Sequence, residues 1–383
     1  MAGFNPTSLD TIFGEPGAKQ DILLPGINMR ILALTRYEHL GSSSRVRFYQ
    51  YFPYLEAQGV EISSKPFFSD TYIQDLYAGR SVSLKDLFLA YVKRLVALTQ
   101  TSTFDLLWVE KELLPMFPAG FEGFFRSSKI PYVVDYDDAV FHRYDMNPNP
   151  IIRTFLKYKI DRVMRDAAVV IVGNEYLATR ANVAGAQKVA IVPSVVDVSR
   201  YFHGNREIRT PFRVGWIGSP VTVPNLNLIR DALQMLYREM DFRIVLIGAG
   251  VSDPFPNIPT TRLPWSEESE LSIGRKFDVG VMPLIDGPFE RGKCGYKLVQ
   301  YMAGAIPMIA SPVGVNREIV EQGTNGYLAE STEDWLLALR NLANNTQKNI
   351  EMGLAGRQKA EQMYNLQVTA PKLIDLLSSA TKA

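Results

Sequence analysis

The strongest constraint on this chain is an alternation that runs through it twice. Short aliphatic and β-branched runs at Arg30–Leu34, Val60–Ser63, Leu106–Val109, Tyr132–Asp135, Val169–Val172 and Val189–Val192 are separated by longer stretches of helical period. The mostly polar segment Ser199–Thr210 interrupts the pattern. It then restarts with Phe212–Ile217, Phe242–Ile247, Asp278–Pro283, Pro307–Ala310 and Gly326–Ala329. Strands that are apolar on both faces need cover on both sides, which means a parallel sheet between helices. At 383 residues the chain has room for two such sheets. The expectation is an α/β protein of two doubly wound, Rossmann-like domains facing a cleft. Residues 1–28 read as a flexible lead-in, 29–205 as the first domain, 206–365 as the second and 366–383 as a helix free to cross back.

The helical stretches add detail. Leu84, Leu87, Phe88, Tyr91, Val92 and Leu95 form one apolar stripe, expected to lie on the sheet, and Leu156, Ile160, Val163 and Met164 form another. Pro53 predicts a kink in the helix after the first strand. Pro224 fits the first turn of a helix through Leu226, Ile229, Leu233 and Leu236.

Composition narrows the function. The chain has 41 basic and 40 acidic residues, a balance unlike the basic footprint of a nucleic-acid binder. One cysteine, Cys294, allows no intrachain disulfide and no Cys-based zinc site. His39, His142 and His203 are too widely spaced for a His-rich metal centre. Residues 1–28 hold one basic residue, Lys19, and no apolar run, unlike a secretory signal. The uncharged run Leu298–Asn316 is broken by Gly304, Pro307, Pro312 and Gly314, so it reads as helix, turn and strand instead of a membrane span. A cytoplasmic protein is expected. Lys85, Lys93 and Arg94 flank the first stripe, and Arg153, Lys157, Lys159, Arg162 and Arg165 the second. They suit either a solvated face or peripheral contact with the inner face of a membrane.

Four segments could carry chemistry. After the first strand, Gly41, Ser42, Ser43 and Ser44 precede Arg45 and Arg47. This is either an anion-friendly helix start or a plain serine-capped turn. Asp135-Tyr136-Asp137-Asp138 ends the fourth strand, with His142 and Arg143 close behind, and its D-x-D spacing could hold a divalent metal. Gly215-Trp216-Ile217-Gly218-Ser219 and Gly248-Ala249-Gly250 each lack the third glycine of a dinucleotide fingerprint, which argues against a nicotinamide or flavin enzyme. The most informative segment is Pro288–Pro307. Lys293 and Lys297 share a helix face, and Gly292 and Gly295 bare the backbone at its positive end. Free N–H groups, a helix dipole and two cations make a diphosphate cradle.

At Gly292-Lys293-Cys294-Gly295-Tyr296-Lys297-Leu298-Val299-Gln300-Tyr301-Met302-Ala303 the chain resembles a family 4 glycosyltransferase of the two-domain GT-B type. Ser311–Asn316, Glu318–Val320 and Gly323–Leu328 carry the same likeness, which spans nearly everything from Met29. The resemblance implies sugar transfer from a nucleotide diphosphate donor with retention and without metal or other cofactor. The donor, UDP- or GDP-linked, would lie on the second domain and a glycan or lipid-linked acceptor on the first. It implies catalytic roles for Asp137, Lys293 and Lys297. Donor-side positions are Gly41, Ser42, Ser43, Gly218, Ser219, Leu263 in the base-reading loop Thr261–Trp265, Glu290, Gly292, Cys294, Gly295 and Gln300. Arg45, Asp138 and His142 are acceptor or loop candidates. The family's paired glutamates, eight apart, are replaced by Gly292 and Gln300, with Glu290 two residues early. That departure keeps two rivals in view: an inactive glycosyltransferase-like binding subunit and a nucleotide-sugar epimerase of the same fold.

Overall fold

A computed structural model of the chain describes residues 28–81, 83–124, 130–202, 210–251 and 253–381. The lead-in and the domain junction at residue 205 lie outside the described residues. Strands β1 (Met29–Leu34), β2 (Val60–Ser64), β3 (Leu106–Glu110), β4 (Tyr132–Tyr136), β5 (Val169–Val172) and β6 (Val189–Ile191) form a parallel sheet in the order β2-β1-β3-β4-β5-β6. Strands β7 (Phe212–Ile217), β8 (Phe242–Ile247), β9 (Thr260–Leu263), β10 (Val279–Met282), β11 (Met308–Ala310) and β12 (Gly326–Leu328) form a second, ordered β12-β11-β10-β7-β8-β9. The chain reverses direction across the first sheet between β1 and β3 and across the second between β7 and β10. Ligands in open α/β sheets collect outside the strand ends at such switch points.

Strand β9 was expected as part of a loop. Its Thr-Thr-Arg-Leu is half exposed because it is the last strand of its sheet, so it lacks the apolar signature of a central strand. The kink predicted at Pro53 is a break. The helix Ser42–Arg47 ends at Phe48 and a 3₁₀ turn, Tyr49–Tyr51, leads into a new helix, Phe52–Ala57, with Pro53 in its first turn. There the missing N–H costs nothing, whereas in mid-helix the ring would strike the carbonyl four residues back. Pro224 likewise sits inside a 3₁₀ stretch, Pro220–Ile229, and the α-helix begins at Arg230.

The largest correction concerns the first apolar stripe. In the helix Leu84–Thr99 the buried residues are Ala90, Arg94, Ala97 and Leu98, while Leu84 and Phe88 are 82% and 67% exposed. Arg94 is no surface cation: it donates to the Thr35 carbonyl at 2.6 Å and stacks on Phe67. Lys159 is also buried, paired with Glu112 at 2.6 Å and Glu122 at 3.1 Å. The last helix, Leu366–Ala380, lies against the first domain, where Tyr51 and Thr369 share a hydrogen bond at 3.1 Å.

Candidate active site

Both sheets turn their carboxyl ends toward one seam. Segments after β1, β2, β4 and β5 meet segments after β7, β9 and β10. Across it Arg45 pairs with Glu270 at 3.3 Å, the Cys294 thiol donates to the Asp137 carbonyl at 3.0 Å, and Tyr77 bonds the Ser219 side chain.

On the first domain the site is centred on Lys111, directly after β3. It is a non-glycine residue at φ 66°, a conformation that costs about 1–3 kcal/mol and is kept where surroundings enforce it. Its ammonium lies 2.8 Å from Asp137, 3.7 Å from Asp138 and 3.3 Å from the Ser43 hydroxyl. Burial pushes the Asp137 carboxyl up, but Lys111 outweighs it and holds the group below the ordinary range. Asp138 goes the other way, raised by burial and by Asp137 beside it. The serines of the first loop do not cap their helix. Ser43 and Ser44 donate to Glu110, Ser44 at 2.5 Å, and Gly41 packs its Cα against the Tyr37 ring. Ser42 is exposed at the helix start.

The D-x-D spacing does not gather its carboxylates. Asp135 is buried and engaged twice by Arg47, at 2.7 and 3.1 Å. Among the described residues no group of three or more His, Cys, Asp or Glu is arranged to hold a metal ion. His142 is oriented by Asp145 at 2.8 Å and Tyr176 at 2.9 Å.

On the second domain the helix Tyr296–Ala303 follows β10, and Gly295 opens it at φ 65°. Lys297 points from it into a small open cleft, with Trp216, Asn225, Met282 and Lys293 among the walls. Its ammonium lies 5.5 Å from the Trp216 ring and forms no ion pair among the described residues. Burial, then Lys293, lower its pKa to about 8, against a weaker pull from Asp138. Gly218, after β7, makes room: a Cβ there would sit 2.5 Å from Trp216 and 2.9 Å from the Lys297 side chain. Lys293 lies 5.0 Å from the Phe289 ring, which Arg143 approaches from the first domain at 6.0 Å.

The remaining donor-side candidates have partners of their own. Gln300 is buried and bonds Tyr201, which donates to Glu270. Leu263 ends β9, its carbonyl accepting from Gly248. Glu290 folds back over Gly287, and Gly292 and Cys294 pack on the first domain. Glu270, which the sequence reading missed, collects Tyr201, Tyr296, Trp265 and Arg45 on one buried carboxylate, with Arg45 stacked 4.2 Å above Trp265. Lys111 was also missed, although Glu110-Lys111-Glu112 after a fully apolar strand is the same signal that singled out Asp135–Asp138.

Residues 211–345, the part of the chain that carries Gly218, Lys293 and Lys297, match the family model described as glycosyl transferases group 1. The match lies on the second domain and covers about a third of the chain. No curated protein matches the chain by sequence. Its fold is similar to that of sucrose-phosphate synthase from Thermosynechococcus elongatus, with a TM-score of 0.70 at 14% identity over 92% of this chain and 98% of that one. HepE of Anabaena in complex with UDP-glucose gives 0.66 at 16% identity over 92% and 100%. A glycosyltransferase from Rickettsia africae gives 0.66 at 11% over 93% and 99%. The chain thus has the GT-B architecture, two six-stranded parallel sheets with their helices.

Asp137, whose carbonyl meets Cys294 at the seam, is a carboxylate held ionised by Lys111. Asp137→Asn should leave the fold intact, being nearly isosteric, and lower kcat by about tenfold or more, roughly 1.4 kcal/mol. Unchanged turnover in steady-state assays would make Asp137 a support for Lys111 and nothing more.

Proposed function

We propose that this glycosyltransferase moves a sugar from a nucleotide diphosphate-sugar to a glycan or lipid-linked acceptor, with retention and without a divalent metal. One observation carries the reading: Lys297, a partly buried cation with no anionic partner among the described residues, beside Lys293 at the switch point of the second sheet. Two adjacent ammonium groups in a glycine-relieved cleft repel each other until an anion separates them. A diphosphate is that anion, and it departs with charge that the lysines can absorb. Asp137 would contact the transferred sugar or orient the acceptor. Nucleotide is the decisive probe. UDP or GDP at 100 times its dissociation constant should stabilise the protein by about 2.7 kcal/mol. Transfer should persist after chelation, and loss of turnover restored by added metal would end the metal-free reading.

A second reading has its own support. Gly292 and Gln300 stand where the resembled family has glutamates, and Gln300 is buried against Tyr201. A binding subunit without turnover would be stabilised by nucleotide yet neither hydrolyse nor transfer the sugar.

The same proposal places the enzyme at a membrane surface. Exposed Leu84, Phe88, Ile151 and Phe155 form apolar faces on two first-domain helices. From Met146 to Ile160 there is no acidic residue, while Arg153 and Lys157 stand exposed beside Phe155. Apolar exposure with a basic surround fits anionic lipid. Among the described residues no helix is long and apolar enough to cross a membrane. Sedimentation with phosphatidylglycerol vesicles should be strong at low salt, and the Phe88→Ser/Phe155→Ser double variant should lose most of it. Equal binding by that variant would remove these faces from the account.

A further inference from the structure

Asn174 belongs to the first domain, one residue past Gly173 at the end of β5, and is 4% exposed. The two ends of its amide do different work. Oδ1 accepts from Leu177 N–H at 3.0 Å and caps the helix Glu175–Val183. Nδ2 reaches into the second domain and donates to the carbonyls of Gly292 at 3.0 Å and Lys293 at 3.1 Å, with the Cys294 sulfur at 3.6 Å. Its surroundings are shaped to the same turn. A Cβ on Gly173 would lie 2.1 Å from the Cys294 sulfur, and one on Gly292 would lie 2.5 Å from the Ala139 Cβ. The turn Gly292–Gly295 is therefore seated in a notch of the first domain. Lys293 lies within it, and Lys297 rides on the helix that Gly295 opens.

We infer that Asn174 is a positioning residue for the donor: from the acceptor-side domain it locks the turn that places Lys293 and Lys297 against the diphosphate. The inference rests on the diphosphate reading above. Its consequence is that donor affinity is set partly by a domain that supplies none of the cradle's cations. An amide is required, because one end must accept for the cap while the other donates twice.

Two variants of the full chain separate clamp from cap. Asn174→Ser keeps a capping oxygen but cannot span to the Gly292 and Lys293 carbonyls. Asn174→Asp also keeps the cap and turns the donor end into a carboxylate facing both carbonyls. UDP and GDP binding would be measured by calorimetry, and rates with donor and acceptor varied separately. Both variants should bind whichever diphosphate the wild type binds at least tenfold more weakly and raise donor KM in step, with acceptor KM near wild type. Asn174→Ser should melt near wild type, and Asn174→Asp lower, because it buries a carboxylate against two carbonyls. Wild-type donor affinity in both variants would overturn the inference. So would equal rises in donor and acceptor KM, which would report a general loosening of the first domain. If the wild-type protein binds neither UDP nor GDP, the diphosphate reading itself fails and takes the inference with it.

Discussion

Lys297→Ala should reduce kcat by about 10²–10³, the 2.7–4 kcal/mol that one preorganised donor aimed at developing charge is worth. Breaking the bond between sugar and diphosphate leaves negative charge on the phosphate oxygens. Lys297 is already held at the cleft wall by the Trp216 ring and the space left by Gly218, so little reorganisation is needed when that charge appears. The lysine also carries a pH signature. With its pKa lowered to about 8 by burial and Lys293, it is charged below that pH and increasingly neutral above it. Donor affinity should therefore fall as pH rises through 8, and the alanine variant should lack that limb. Lys297→Arg should recover part of the rate, since a planar fork replaces a compact ammonium imperfectly. It should also abolish the alkaline fall, because guanidinium stays charged. Initial rates on either side of pH 8 would check this, and a wild-type rate for a folded Lys297→Ala protein would place the diphosphate elsewhere.

The sequence and the structure part company at specific residues. The central strands were legible because burial on both faces leaves near-continuous aliphatic runs: Val169–Val172, Phe212–Ile217 and Phe242–Ile247 fall where expected, residue for residue. Strand β9 was not, because an edge strand needs no such run. Period 3.6 along Leu84–Leu95 correctly gave a helix, but a stripe states only that one face is apolar. It does not say which face the protein covers. Here the small residues Ala90 and Ala97 allow close approach, and Arg94 passes between them to the Thr35 carbonyl. Of the stripe, Leu87 and Tyr91 pack against the core, while Leu84, Phe88, Val92 and Leu95 are left outside.

The site divides along similar lines. Lys293 and Lys297 could be found because glycines and lysines at helical spacing after a strand are unusual together. The partners across the seam could not. Asn174 is 119 residues from Lys293, and Arg45 is 225 from Glu270. No local pattern joins them. Only the shared direction of two parallel sheets, carboxyl ends to one seam, brings them within hydrogen-bond reach.

Arg47 and Asp135 should prove the most costly pair in the first domain to break. Both side chains are 2% exposed, the contact is two-pronged, and the third guanidinium arm donates to the Val192 carbonyl at 2.8 Å. The arginine thereby ties the helix after β1 to β4 and to the chain leaving β6. Removing either partner strands an ion in the interior, which costs about 3–5 kcal/mol, far above the 1 kcal/mol ceiling of an exposed pair. At 2–4 °C per kcal/mol for a domain of this size, Arg47→Met or Asp135→Leu should lower the melting midpoint by about 6–20 °C. The double variant should recover most of that loss, because apolar side chains of similar volume satisfy one another where a lone charge cannot. Strong coupling between the two changes is the signature to look for in thermal and urea unfolding. Independent, additive losses below about 1 kcal/mol would mean that water reaches the pair. Asp135 would then become available for the metal-binding role that its spacing to Asp137 first suggested.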